Sequence, residues 1–231
     1  MRLFVIMCGG YYEQFDRPKA LSIVAGETII ERTLRLLADL GIGSEQVKIT
    51  AQDPRFESLG VEVLHHENTY RYEDGELKGY WLDAFYPHFG PGTKVTYLYG
   101  DVVYSPEALR TIVECDRPGC ILFGTKIAKN SAHKNWGEPF AYKVDCYPVF
   151  MAGIEEVKRL YDEGKLARHP ITWELYRYLN GLDVNVQAVK DETYICIDDG
   201  TADVDSPSRI RKIEKELRRR NDNKVCVGRN I

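Results

Sequence analysis

Short apolar runs that end at glycine alternate along this chain with stretches whose apolar residues recur every three or four positions. The two rhythms predict strands and helices in turn. Residues 4–7 form the first run, apolar throughout and halted by Cys8-Gly9-Gly10, the pattern of a buried parallel strand. Thr28 and Glu31 stand at capping-box spacing, and Ile30, Leu34, Leu37 and Leu40 then share one helical face until Gly41. Runs at 47–50 and 61–64 read as strands. A polar, tyrosine-rich stretch from His65 to Glu76 leads into an apolar segment, 78–89, that predicts a helix lying over the sheet.

The alternation continues. Residues 95–99 predict a strand that ends in Gly100-Asp101, and Ser105-Pro106-Glu107 supplies the cap, first-turn proline and early acid of a helix reaching Cys115. Residues 120–125 read as an inner strand. Residues 128–148 are irregular and aromatic, and the alternating stretch 140–144 within them predicts a hairpin or flap laid over one end of the sheet. Helices follow at 155–163 and 172–180, then strands at 184–189 and 194–197. An acidic connection, 198–205, leads to Ser206-Pro207, which opens a last helix running to Arg220. The whole reads as one α/β domain with a mixed, mostly parallel sheet flanked by helices.

Composition narrows the class. With 29% charged and 44% hydrophobic residues the chain has the makeup of a globular protein. No apolar run approaches the roughly 18 residues of a spanning helix. Met1-Arg2 leads straight into a strand, so a cytoplasmic protein without a membrane partner is expected. Cysteines at 8, 115, 120, 146, 196 and 226 form no CxxC pair, which favours reduced thiols over a zinc site. A net charge of −4 argues against general affinity for nucleic acid, and the basic stretch 209–220 carries Glu214 and Glu216 at the spacing of a solvated helix face.

Three places carry candidate chemistry. Gly9-Gly10 directly after a strand lets backbone N–H groups approach a ligand that a Cβ would fend off, and Pro18-Lys19 returns a mobile cation towards those glycines. This is neither a P-loop nor a GxGxxG fingerprint, since Tyr12 stands where a second spaced glycine would be. Asp101 follows a buried strand, at the edge where open α/β sheets bind ligands. In an extended Asp203-Val204-Asp205 both carboxylates face one side. Carboxylates of this kind suit Mg²⁺, which combines one or two of them with substrate phosphates and water. His65-His66 is a weaker metal candidate, because adjacent side chains diverge and no third ligand is near in sequence.

In that order, strand–CGG, then PKAL, then GD after a mid-chain strand, then DVDSP before a final helix, the chain resembles the sugar-phosphate nucleotidylyltransferase superfamily. The resemblance implies a single-domain, Rossmann-like, glycosyltransferase-A-like fold with a small β flap. Residues 1–127 would form the nucleotide-binding half, 128–205 the acceptor half and flap, and 206–231 a C-terminal helix and tail. It implies Gly9 and Gly10 as the glycines that receive the nucleotide, Lys19 as the catalytic cation, and Asp101 and Asp205 as magnesium ligands. Asp203 stands beside those ligands, Met7, Cys8, Tyr11 and Arg17 complete the expected nucleotide-binding set, and Lys78 and Gly79, opening the expected helix beside the sheet edge, are candidates for contacts to base or ribose. Trp136 would face the acceptor or plug the core. The family loop usually reads GxGxR, and here Tyr12 and Gln14 replace its glycine and arginine, removing a phosphate clamp that Arg17 would have to supply. Ser206-Pro-Ser-Arg-Ile210 likewise lacks the acid of the usual TPEDL.

The implied reaction is Mg²⁺-dependent transfer of a nucleoside monophosphate from a nucleoside triphosphate to a phosphorylated sugar, alcohol or phosphonate, with release of pyrophosphate. A glycosyltransferase using Asp203-Val-Asp205 as its acidic motif, or a relative that binds nucleotide without turnover, are the alternatives. The base, the acceptor and a homo-oligomeric state stay open.

Overall fold

The computed structural model describes residues 2–10, 15–66, 69–73, 76–87, 89–125 and 137–227. Its centre is a seven-stranded sheet of β1 (Arg2–Met7), β2 (Val47–Ala51), β3 (Glu62–His65), β4 (Lys94–Tyr99), β5 (Cys120–Gly124), β6 (Pro139–Val144) and β7 (Tyr194–Cys196). The strands lie in the order β3-β2-β1-β4-β6-β5-β7, and β6 runs antiparallel to both its neighbours. The pairs β1–β2, β1–β4, β2–β3 and β5–β7 are parallel.

Alternation along each strand buries both faces. Phe4 and Ile6 of β1 join one cluster with Leu37 of α1 (Ile29–Asp39) and Leu109 of α2 (Pro106–Val113). Val5, between them, faces the opposite cluster with Phe150 of α3 (Tyr147–Asp162) and Leu175 of α4 (Thr172–Leu179). Each such side chain contributes about 1.5–3 kcal/mol by leaving water. The capping box of α1 forms as the spacing predicts, Thr28 Oγ1 accepting from Glu31 N and Glu31 Oε2 from Thr28 N. A third cluster joins α5 (Pro207–Val227) to a ribbon of Ile23–Val24 with Glu27–Thr28, through Val24, Ile213 and Val204.

Five elements differ from expectation. Residues 78–89 are not a helix: a ribbon of Arg71–Glu73 with Glu76–Lys78 ends at Gly79, whose φ is +68°, and only a 3₁₀ turn, Trp81–Ala84, follows before Pro87. The apolar spacing that imitates a helix serves packing instead, with Leu82 and Phe85 in the core and Trp81 edge-on to Tyr99. Residues 140–144 are not a flap but lie within β6, inside the sheet. Lys143 is fully buried there because Asp145 and the Arg117 carbonyl take its charge. Of the 128–148 stretch, residues 128–136 fall outside the described residues. Residues 184–189 form a short turn and an irregular stretch rather than a strand: Asp183 accepts from Asn185 N and the Val184 carbonyl accepts from Arg177. Finally, α3 starts at Tyr147, with Pro148 in its first turn, and α5 continues past Arg220. No helix among the described residues is long and apolar enough to cross a membrane.

Candidate active site

The chain leaves β1, builds β2 and β3 on one side, and returns to place β4 on the other, so the sheet reverses direction between β1 and β4. Ligands of open α/β sheets bind at such a reversal. The two strands end level: Met7 pairs with Tyr99, Gly100 N donates to Met7 O at 3.0 Å, and Cys8 N donates to Thr50 O at 2.9 Å. The approach is tight enough that a Cβ on Gly100 would lie 2.6 Å from both Cys8 Sγ and Met7 O. Gly9-Gly10 and Gly100-Asp101 are thereby held side by side, and the space above Gly10 is open.

Pro18 starts a 3₁₀ turn, Lys19–Leu21, that carries Lys19 back over this edge. Its Nζ lies 2.9 Å from Asp101 Oδ2 and 3.6 Å from Asp205 Oδ1. Asp205 arrives by backbone pairing. Ala202–Asp203 runs antiparallel to Val102–Val103, Val204 N donates to Asp101 O at 2.9 Å, and the Val204 side chain is buried. Three segments remote in sequence thus meet around one ammonium. Burial works against the charge of Lys19, but Asp101, Asp205 and Asp203 outweigh it and raise its pKa.

The acids behind Lys19 divide a proton. Burial, a hydrogen bond to Asp205 and the nearby Glu138 and Asp101 charges push Asp203 up to about 8. The same hydrogen bond, opposed by burial and helped by Lys19, holds Asp205 below the usual carboxylate range. A carboxyl that retains a proton beside ionised neighbours marks a place short of positive charge, so the donor set fits a hard divalent cation. Asp101 and Asp205 are the groups that would hold it, with Asp203 behind. Among the described residues no three acidic, His or Cys side chains form a ready-made cage, and Mg²⁺, which takes one or two carboxylates together with substrate phosphates, does not require one.

Next to the acids lies a cavity of about 100 Å³. Cys8, Gly9 and Gly10 form one side, Lys19 and Asp101 its polar end, and Thr50, His66, Trp81 and Ala84 the far wall. Met7 and Tyr99 also face it, and the Tyr99 hydroxyl is tied to Thr172 Oγ1. Burial and the Asp101 charge push the Cys8 thiol far up, which makes it a poor nucleophile.

Not every expected residue is here. The Arg17 guanidinium donates twice to Asp16, at 2.7 Å each, and lines a separate groove with Phe15, Ile23 and Ile210. Lys78 ends the ribbon in an exposed position, and Gly79 packs against the Thr69 backbone, so Trp81 and Ala84 form the wall expected of them. Tyr11 and Trp136 lie outside the described residues. His65 and His66 diverge: His65 is exposed near Glu57, while His66 stacks on Tyr86 at 4.4 Å. Sequence reasoning missed Thr50, a strand-end residue that pairing with β1 would have flagged, and Trp81, for which helical spacing misled.

Structures with this fold define the class. A structure described as a glucose-1-phosphate thymidylyltransferase of Bacillus anthracis superposes with a TM-score of 0.59 at 12% identity, covering 93% of this chain and 94% of that one. A 4-diphosphocytidyl-2C-methyl-D-erythritol synthase of Anaerococcus prevotii gives 0.55 at 12% identity over 94% and 99%. A CTP:phosphocholine cytidylyltransferase of Streptococcus pneumoniae gives 0.52 at 14% identity over 94% and 100%. At these identities the likeness is one of fold, that of the nucleotidyltransferases. The family described as MobA-like NTP transferase domain matches residues 4–169, and the chain belongs to it. The match takes in Gly9, Gly10, Lys19 and Asp101, while Asp203 and Asp205 lie beyond it. No curated protein matches the chain.

Proposed function

We propose that the protein transfers a nucleoside monophosphate from a nucleoside triphosphate to a phosphorylated small molecule, with Mg²⁺ as cofactor and pyrophosphate as the second product. The convergence of Lys19, Asp101 and Asp205 at the β1–β4 edge, beside open glycine backbone, carries the reading. Gly9 and Gly10 present N–H groups to the phosphate tail, and Cys8, buried and protonated, stays out of the chemistry. Lys19, neutralised by carboxylates here, exchanges them for phosphate oxygens when the triphosphate enters. An acceptor phosphate oxygen bonds to the α-phosphorus as the bond to the bridging oxygen breaks and the electron pair leaves with pyrophosphate. No base is needed, because a phosphate monoester with a second pKa of about 6 is already ionised at neutral pH. Asp101 and Asp205 would hold Mg²⁺, which would supply charge neutralisation at the phosphates.

A panel of the four nucleoside triphosphates, each with and without Mg²⁺, tests this by thermal shift. One base should raise the melting temperature in a Mg²⁺-dependent way, since a ligand bound by the native form alone stabilises it, and should then release pyrophosphate with an acceptor drawn from phosphorylated sugars, alcohols and phosphonates. No shift with any of the four sinks the proposal, and a shift without pyrophosphate from any acceptor points to a nucleotide-binding protein instead.

A further inference from the structure

The site is rich in negative charge for one that must hold phosphates. Asp101 and Asp205 lie within 4 Å of a single ammonium, Lys19, at this edge, with Glu138 and Asp203 close by. A divalent cation cancels the remaining excess and leaves no net attraction for a second polyanion, so an acceptor phosphate needs its own counter-charge.

The strand order locates where that charge must lie. The cavity of Gly9, Gly10 and Trp81 lies over β2, β1 and β4, whereas Glu138 directly precedes β6, the neighbour of β4 on the side away from β1. Glu138 is held there by its N–H on Thr125 Oγ1 at 2.8 Å, and by Trp173 Nε1 donating to the preceding Gly137 carbonyl at 2.9 Å. Displacement at phosphorus is in line, the attacking and leaving oxygens being on opposite sides. With the triphosphate tail over the glycines, the attacking group comes from the Glu138 side.

Among the described residues, one cation besides Lys19 reaches that side. Arg209 lies in the first turn of α5, four residues beyond Asp205, its N–H on the Ser206 carbonyl at 3.0 Å. It is exposed, and α5 is fixed beneath it by the buried Ile213 one turn on. Its charge reaches both the Asp205 and Glu138 carboxylates and favours ionisation of each, and it does not line the cavity of Gly9 and Gly10. Resting on the nucleotidyl-transfer reading, we infer that the guanidinium of Arg209 receives the dianionic phosphate or phosphonate head of the acceptor, from the side opposite Gly9-Gly10. Arginine matches such an oxygen pair with two parallel hydrogen bonds, which Lys19, a point charge turned to the nucleotide, does not offer.

The test uses methylphosphonate, the smallest dianion with this head, titrated calorimetrically into the full chain saturated with Mg²⁺ and the α,β-methylene analogue of the triphosphate that binds. R209A should weaken methylphosphonate at least tenfold, R209K should fall between R209A and wild type, and the thermal shift by nucleotide should be unchanged in both. R17A, at a guanidinium already committed to Asp16, should alter neither. Methylphosphonate binding unchanged in R209A overturns the inference, as does a wild type that takes nucleotide but no methylphosphonate, or an R209A that loses nucleotide binding. A wild type that binds no nucleotide overturns the nucleotidyl-transfer reading itself.

Discussion

The two walls of the candidate site are built differently. The wall of Gly9, Gly100, Asp101 and Asp205 is set by backbone pairing: β1 against β4, and Ala202–Asp203 against Val102–Val103. The wall of His66, Trp81 and Ala84 is set by side chains, with Trp81 edge-on to Tyr99, Leu82 and Phe85 in the core, Asp83 on Lys158 at 2.6 Å, and Gly79 against Thr69. A paired strand end has one place to go, so its residues can be located from the pattern alone. A segment held by packing takes the shape its neighbours leave, and its apolar spacing does not report that shape.

The contrast sharpens under mutation. The largest effect is expected of D101A, which removes the carboxylate nearest Lys19: Mg²⁺-dependent pyrophosphate release should fall on the order of 10³-fold with the fold retained. Retention within tenfold would take Asp101 out of the site. G100A comes next. Its Cβ would meet the Met7 carbonyl and Cys8 Sγ, and prising apart the two strand ends should cost about 1–3 kcal/mol, seen as a melting temperature lower by several degrees together with a loss of turnover. Unimpaired turnover in G100A would mean that the level meeting of β1 and β4 does not set the site. G79A should have the smallest effect on turnover although its conformation is also strained, with φ at +68° and a Cβ 2.4 Å from Thr69 O. It should lose comparable stability but mainly raise the KM for nucleotide a few-fold, by shifting Trp81. If G79A abolished turnover while G100A spared it, the two walls would have to exchange roles.

The same division runs through the whole reading. The Thr28 capping box, the Ser105-Pro106 helix start and the strands that carry Gly9 and Asp101 were legible, because each rests on a preference of a few adjacent residues. So was the side shared by Asp203 and Asp205, which follows from the period of an extended chain. Arg17 is not brought to the cavity for a local reason: its neighbour Asp16 captures it, and a cation near the glycine loop in sequence need not face it. Residues 140–144 were expected in a flap because their alternation suits a half-exposed ribbon, whereas the Lys143–Asp145 pair lets them lie inside the sheet.

By itself the sequence determined the class of fold, the positions of most strands, and the residue types able to hold phosphate and a divalent cation, since these depend on periodicity and backbone freedom. Only the tertiary structure decided that Lys19 reaches both Asp101 and Asp205, that Trp81 rather than Lys78 walls the cavity, and that the first turn of α5 follows directly on Asp205. Those outcomes depend on which distant segments bury one another, a sum over non-local contacts that no short stretch of chain contains.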